Sequence, residues 1–124
     1  MKFSRLTQIW LRWQKGRQHS GYDKMLLIYN KLGIEFDAYL LRFPVGSEIP
    51  PHRDQVQSGR HFRLNIILKK SKFGGEFICE KHILNLNRIK LFRSDLYTHS
   101  VTQVGGSSRY VLSVGWILSD RIKT

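Results

Sequence analysis

Residues 39–54 read Tyr39-Leu-Leu-Arg-Phe-Pro-Val-Gly-Ser-Glu-Ile-Pro-Pro-His-Arg-Asp54. The first five positions continue a run of β-forming residues, and Pro44-Val-Gly46 interrupts it. A second short extended run then ends on His52 and Asp54. The same texture spreads outward. Upstream, Met25–Tyr29 is a compact apolar run between Asp23 and Gly33 and reads as a strand. Downstream, β-like runs cover His61–Leu68, Gly75–Glu80, His82–Leu86, Ile89–Arg93, Thr98–Val104 and Tyr110–Leu118. Turn-forming clusters separate them: Gln57-Ser-Gly59, Lys69–Gly74, Asn87-Arg88, Ser94-Asp95 and Gly105–Ser108. With Phe36–Phe43 and Glu48–His52, these runs predict a mainly β chain closed as a sandwich or barrel-like jelly roll. Phe3, Leu6, Ile9, Trp10 and Trp13 recur at helical spacing, with Arg5, Gln8 and Arg12 largely on the other side. That pattern predicts an amphipathic N-terminal helix that covers one face of the sheet. The expected organisation is a single domain, with residues 1–35 as helix and supporting segment and residues 36–124 as the β core.

Composition narrows the class. The chain has 124 residues, 41% hydrophobic and 12% aromatic, enough for a packed core and too apolar for a disordered basic tail. Its single cysteine, Cys79, excludes an intramolecular disulfide framework and a cysteine-rich zinc module, and it suits a reducing, cytoplasmic setting. No apolar run is long enough to span a membrane, and Arg5 and Arg12 break any leader-like segment. Twenty-one Lys and Arg against nine Asp and Glu leave a net charge of +12. The excess sits in two blocks, +6 over residues 1–31 and +7 over residues 58–93, around a segment of −2 over residues 32–57. Such a distribution suggests a polyanionic partner but identifies no chemistry.

Chemistry enters with His52-Arg-Asp54, His99 and Arg109. Residues i and i+2 of a strand share a face, so His52 and Asp54 at a strand end can aim an imidazole and a carboxylate at one point. A β-sandwich can fold His99 back to the same place. Two histidines and one carboxylate form a facial triad that holds Fe(II) and leaves positions open for oxygen chemistry. Arg109 opens the last strand, where its guanidinium can clamp a carboxylate near the metal. Iron and a carboxylate-bearing cosubstrate are therefore the expected cofactors.

On these residues the chain resembles the Fe(II)/2-oxoglutarate-dependent oxygenases. The resemblance runs from about Tyr39 to Leu118. It includes Arg63-Leu-Asn-Ile-Ile-Leu68, Gly74-Gly-Glu-Phe77, Phe92-Arg-Ser-Asp-Leu-Tyr-Thr-His-Ser-Val101 and Arg109-Tyr-Val-Leu-Ser-Val-Gly-Trp116. Prolyl-hydroxylase-like members carry these features in the same order. Arg63-x-Asn65 is similar to the Arg-x-His of aspartyl/asparaginyl hydroxylases, with Asn65 in place of the histidine. The resemblance implies a double-stranded β-helix (jelly roll, cupin-like). It implies iron held by His52, Asp54 and His99, with 2-oxoglutarate bound through Arg109 and O2 as cosubstrate. It also puts the two strands of Thr98–Leu118 in opposite sheets, where a simple reading would pair them as a hairpin. Arg63 and Asn65, on one strand face, and Ser113, four residues past Arg109, are candidate further contacts to the cosubstrate.

The remaining residues have plainer readings. His19, His61 and His82 read as surface or strand-end histidines, with His61 the best rival ligand. Cys79 reads as a small core residue, and Trp116 as packing for the last strand. The Gly74-Gly-Glu-Phe77 and His52-Arg-Asp54 segments also match fragments of diguanylate cyclases and kinases. The chain is too short for the first, and the second lacks its partner asparagine and glycine-rich loop. The expected activity is hydroxylation or oxidative demethylation of a C–H bond in a macromolecule. The basic blocks, Lys69-Lys-Ser-Lys72 included, favour nucleic acid over a protein side chain (Asp, Asn or Pro). A non-catalytic β-sandwich binding module is the alternative from another class.

Overall fold

A computed structural model describes residues 7–8, 11–16, 20–31, 33–54 and 58–119, and no helix occurs among them. The strands in chain order are β1 (Thr7–Gln8), β2 (Trp13–Lys15), β3 (Asp23–Asn30), β4 (Glu35–Phe43), β5 (Ile49–His52) and β6 (Arg60–Lys69). They continue with β7 (Phe73–Gly74), β8 (Phe77–Cys79), β9 (Leu84–Asn85), β10 (Ile89–Arg93), β11 (His99–Val101), β12 (Val104–Gly105) and β13 (Arg109–Leu118). The large sheet runs β1-β3-β4-β13-β6-β10-β9, and β2 also pairs with β3. A small sheet, β5-β11-β8, and the pair β12-β7 supply the remaining strands. All the ladders are antiparallel.

The two-residue period of β13 decides what reaches the interior. Arg109, Val111, Ser113 and Gly115 are buried, and the residues between them are half-buried on the outer face. Along β13, Arg109 pairs with Phe43 and Ser113 with Tyr39 on β4, while Ser113 pairs with Asn65 on β6. Tyr22, Phe43, Ile67, Val101, Val104 and Val111 form the buried apolar cluster, with Leu41, Ile49 and Phe77 packed against it. Each such burial contributes about 1.5–3 kcal/mol for the larger side chains. The Tyr22 and Phe43 rings stack at 5.1 Å.

Three expectations meet the structure here. The runs read as strands from the sequence are strands, down to a double-stranded β-helix. His99 and Arg109 lie on strands of different sheets, so Thr98–Leu118 is not a hairpin. The turn expected over Lys69–Gly74 contains β7, which pairs with β12.

The N-terminal helix does not form among the described residues of Phe3–Trp13. Thr7–Gln8 pairs with Tyr29 and Asn30, Leu11-Arg12 is irregular, and Trp13 opens a strand against Met25. The other positions of that stretch lie outside the described residues. The helical spacing loses to the free edge of β3, whose backbone groups need ladder partners. No helix among the described residues is long and apolar enough to cross a membrane.

Candidate metal centre

The small sheet builds the site. His52 ends β5 and pairs directly with His99 at the start of β11, which brings the two ring centroids to 4.3 Å. Pro50 and Pro51 are tolerated because β5 is an edge strand, where a missing N–H costs no ladder bond. Beyond His52 the chain leaves the sheet. The Asp54 N–H donates to the Ser94 carbonyl at 2.9 Å, which holds this segment against the turn after β10. Asp54 Oδ1 then lies 3.5 Å from His52 Nε2 and 3.9 Å from His99 Nε2. One ligand atom from each of the three residues falls within 4.8 Å of the others.

The ring orientations settle which nitrogens face inward. Nδ1–H of His52 donates to the Pro50 carbonyl and Nδ1–H of His99 donates to the Tyr97 carbonyl, each at 2.9 Å. Each imidazole is thus fixed by the carbonyl two residues before it, leaving Nε2 as the inward atom. In the neutral rings, two nitrogen lone pairs and a carboxylate oxygen converge on one small volume. That arrangement is repulsive unless a cation occupies it, and the nitrogen–nitrogen–oxygen donor set suits ferrous iron or a similar divalent metal. Burial opposes ionisation of Asp54. The neighbouring imidazole of His52 and the positive field of Arg63 outweigh it and hold the carboxyl well below the usual range. Burial also pushes His99 down, which keeps it neutral and able to ligate. The rings of Phe92 and Phe77 pack beside it at 4.9 and 6.1 Å.

Arg109 shares a cavity of about 230 Å³ with the triad. It is 3% exposed, and no hydrogen bond or ion pair engages its guanidinium among the described residues. The Phe43 ring centroid lies 5.1 Å from its guanidinium carbon. Burial lowers its pKa to about 10, so it stays charged at neutral pH. A buried, charged group with five unanswered donors is costly, and a carboxylate entering the cavity would offset that cost.

Arg63, Asn65 and Ser113 also line this cavity, but they are tied to one another. Arg63 donates Nη2–H to Asp37 at 3.0 Å and Nη1–H to Ser113 Oγ at 2.8 Å, and the Ser113 hydroxyl donates to Asn65 Oδ1 at 2.7 Å. The guanidinium lies across Gly115, where an added Cβ would collide with Nη2.

His61 differs from its plain reading. It is buried, with Nε2 accepting from Arg63 Nη2–H at 3.4 Å and Nδ1 3.9 Å from Asp54 Oδ2 and without a hydrogen bond. Its position on the face of Arg63 and Asn65 was visible as the i, i+2, i+4 spacing. Asp37, Tyr39, Tyr22 and Lys24 were not singled out by sequence, because no short-range spacing links them to the triad. His82 is half-buried with an unpartnered Nε2, and His19 lies outside the described residues. Cys79 is half-buried, and Trp116 stacks on Phe62 at 5.8 Å on the outer face.

No protein-family model matches the chain, and no curated protein matches it. Solved structures do. The Schizosaccharomyces pombe Cnp3 cupin domain superposes with a TM-score of 0.60 at 13% identity, over 86% of this chain and 69% of that one. A predicted oxalate decarboxylase from Thermotoga maritima gives 0.58 at 15% identity, over 87% and 94%. A chain of the Rhodobacter sphaeroides complex of SigE with the anti-sigma ChrR gives 0.54 at 21% identity, over 83% of this chain. This chain spans 47% of the length of that neighbour. None of the three is a named 2-oxoglutarate oxygenase. At these identities the likeness establishes architecture, and the architecture is the double-stranded β-helix of the cupins.

Proposed function

We propose that the chain is an Fe(II)- and 2-oxoglutarate-dependent oxygenase acting on a C–H bond. The supporting observation is Arg109: a buried guanidinium with no anionic partner among the described residues, lining the same cavity as a His-x-Asp…His triad. His52, Asp54 and His99 would hold the iron, leaving room on its open side. When bound, iron, 2-oxoglutarate and O2 together supply oxidative decarboxylation to succinate coupled to hydroxylation of the substrate. The chain's own residues do the rest. Arg109 takes the carboxylate far from the metal. Leu41, Phe43, Val101 and Val111 wall the cavity with apolar surface and exclude water. Asp37 and Ser113 hold Arg63 so that its charge keeps Asp54 ionised. Asn65, whose oxygen already accepts from Ser113, has an amide Nδ2–H2 left to donate to the cosubstrate. The proposed substrate is a macromolecule, nucleic acid ahead of a protein side chain, on the support of the +12 charge.

A second reading rests on the same arginine and on the Thermotoga maritima neighbour. In it, Arg109 holds a small carboxylate that is itself the substrate of a metal-dependent cupin enzyme, with no cosubstrate. Anaerobic titration with Fe(II) and then 2-oxoglutarate separates the readings. The oxygenase reading expects a visible charge-transfer band on adding 2-oxoglutarate, and succinate on admitting oxygen. Metal binding without either result supports the second reading. Failure to bind divalent metal at all returns the chain to a binding module.

A further inference from the structure

Arg109 also lines a second cavity, of about 320 Å³, which the metal chemistry does not use. Its walls carry Lys70, Lys72 and Lys90, with Ser71 and Asn87 between them. The recorded side-chain partners of these lysines are neutral. Lys70 donates to Asn87 Oδ1 at 2.5 Å and Lys90 donates to Asn85 Oδ1 at 2.6 Å. No carboxylate pairs with any of the three among the described residues, and Glu76 is the one acid on the walls. Four cations thus border one concave volume against a single carboxylate.

The loop that closes this cavity is shaped to lie against Arg109. Gly74 and Gly75 both have positive φ, 59° and 65°, which other residues reach only with strain. A Cβ on Gly75 would fall 2.5 Å from Ser71 Oγ and 3.1 Å from Arg109 Cδ. The glycines therefore let the backbone turn onto the arginine stem. Ser71 Oγ–H donates to the Gly74 carbonyl at 3.0 Å and the Gly75 N–H donates to the Gln103 carbonyl at 3.1 Å, fixing the turn from both sides. A fixed loop carrying lysines, with a buried arginine behind it, is a preformed cradle for a compact, multiply charged oxyanion.

We propose that this second cavity binds a phosphoryl group, held by Lys70, Lys72 and Lys90 with Arg109 behind them. Lysine ammonium groups are compact point charges that suit a phosphate, and a charge near −2 answers four cations better than one carboxylate does. The site lies apart from the metal triad but shares Arg109 with the cavity of the oxygenase reading, so the three lysines are what distinguishes it. The phosphoryl group can belong to a small phosphorylated molecule or to a nucleic-acid backbone.

The test is calorimetric titration of metal-free protein with inorganic phosphate at low ionic strength. Wild type and the variant K70Q/K72Q/K90Q are compared with a charge-matched control, R12Q/K31Q/K81Q, whose residues are exposed and do not line the cavity. Saturable binding, weakened about tenfold or more in the cavity variant and less than about twofold in the control, is the expected result. The single exposed variant K72E, expected to lose several-fold, covers the case in which the triple variant unfolds. Absence of saturable binding in wild type, or equal weakening in both triple variants, overturns the proposal. A short single-stranded oligonucleotide added as competitor identifies the source. Displacement of phosphate that depends on the three lysines assigns the group to a nucleic-acid backbone. Retention of phosphate beside the oligonucleotide assigns it to a small molecule.

Discussion

His52 and His99 face each other directly across the β5–β11 ladder, 4.3 Å between ring centroids, each ring held by the carbonyl two residues before it. Two residues 47 positions apart in sequence thus become a pre-oriented pair, with Asp54 Oδ1 within 3.9 Å of both inward nitrogens. Pre-orientation by backbone carbonyls means that a metal entering here would not need to order its own ligands, and the energetic cost of that order is carried by the sheet.

Removing one of these ligands has a defined effect. His99→Ala is expected to weaken binding of Mn(II) or Fe(II) by about 100-fold or more, since a bidentate remnant cannot replace a facial triad. Anaerobic calorimetry measures it. Wild-type affinity in His99→Ala would exclude the triad as the metal centre.

Arg109 is expected to separate stability from function. Arg109→Met removes a buried charge that has no hydrogen-bond or anionic partner among the described residues, so the fold should gain about 1–2 kcal/mol or stay unchanged. The same variant should bind 2-oxoglutarate at least about tenfold more weakly. Urea denaturation and ligand titration give the two values, and a destabilised Arg109→Met would show that the guanidinium has a structural partner.

The Arg63 network should behave in the opposite way. Asp37→Ala leaves the Arg63 guanidinium half-compensated, with only Ser113 as a strong acceptor, and should cost about 1–3 kcal/mol. Gly115→Ala should cost a similar amount by displacing the same guanidinium, since its Cβ occupies the place of Nη2. If the two changes act through Arg63, their combination should be clearly less than additive in denaturation measurements.

Acid should weaken the metal-free protein. Burial lowers the pKa of His61, His82 and His99, with Arg63 adding to the effect at His61 and Lys90 at His82. Each group then takes up its proton in the unfolded chain at a higher pH than in the folded one. Stability is fully present above the unfolded value of about 6.5 and is lost as pH falls below it towards the lowered folded values. Thermal midpoints measured between about pH 5 and 7.5 should rise with pH, and His82→Phe should flatten part of that slope.

Much of this was legible in sequence, for physical reasons that differ by element. Strands β4, β6, β10 and β13 could be read because alternation and turn chemistry are local properties. His52 and Asp54 could be read because residues two apart in an extended chain share a direction, and Asp54 lies just past the end of β5. The Phe3–Trp13 stretch could not, because its helical spacing was real but the free edge of β3 offered pairing that spacing does not report. No carboxylate neighbours His61 in sequence, and the one that reaches it, Asp54, comes from the segment beyond β5. Asp37 and Arg63 are likewise paired only across the sheet, with β13 between their strands.

The chain by itself determined the strand pattern, the ligand types, the spacing from His99 to Arg109 and the basic excess, since all of these are carried by residue identity and short-range geometry. The tertiary structure decided which groups are left without partners. Among the described residues Arg109 lacks an anion, Nε2 of two histidines faces a carboxylate, and three lysines share a cavity with a single carboxylate. Burial and hydrogen-bond satisfaction are set by every strand that closes around a side chain, and no spacing along the chain can express that.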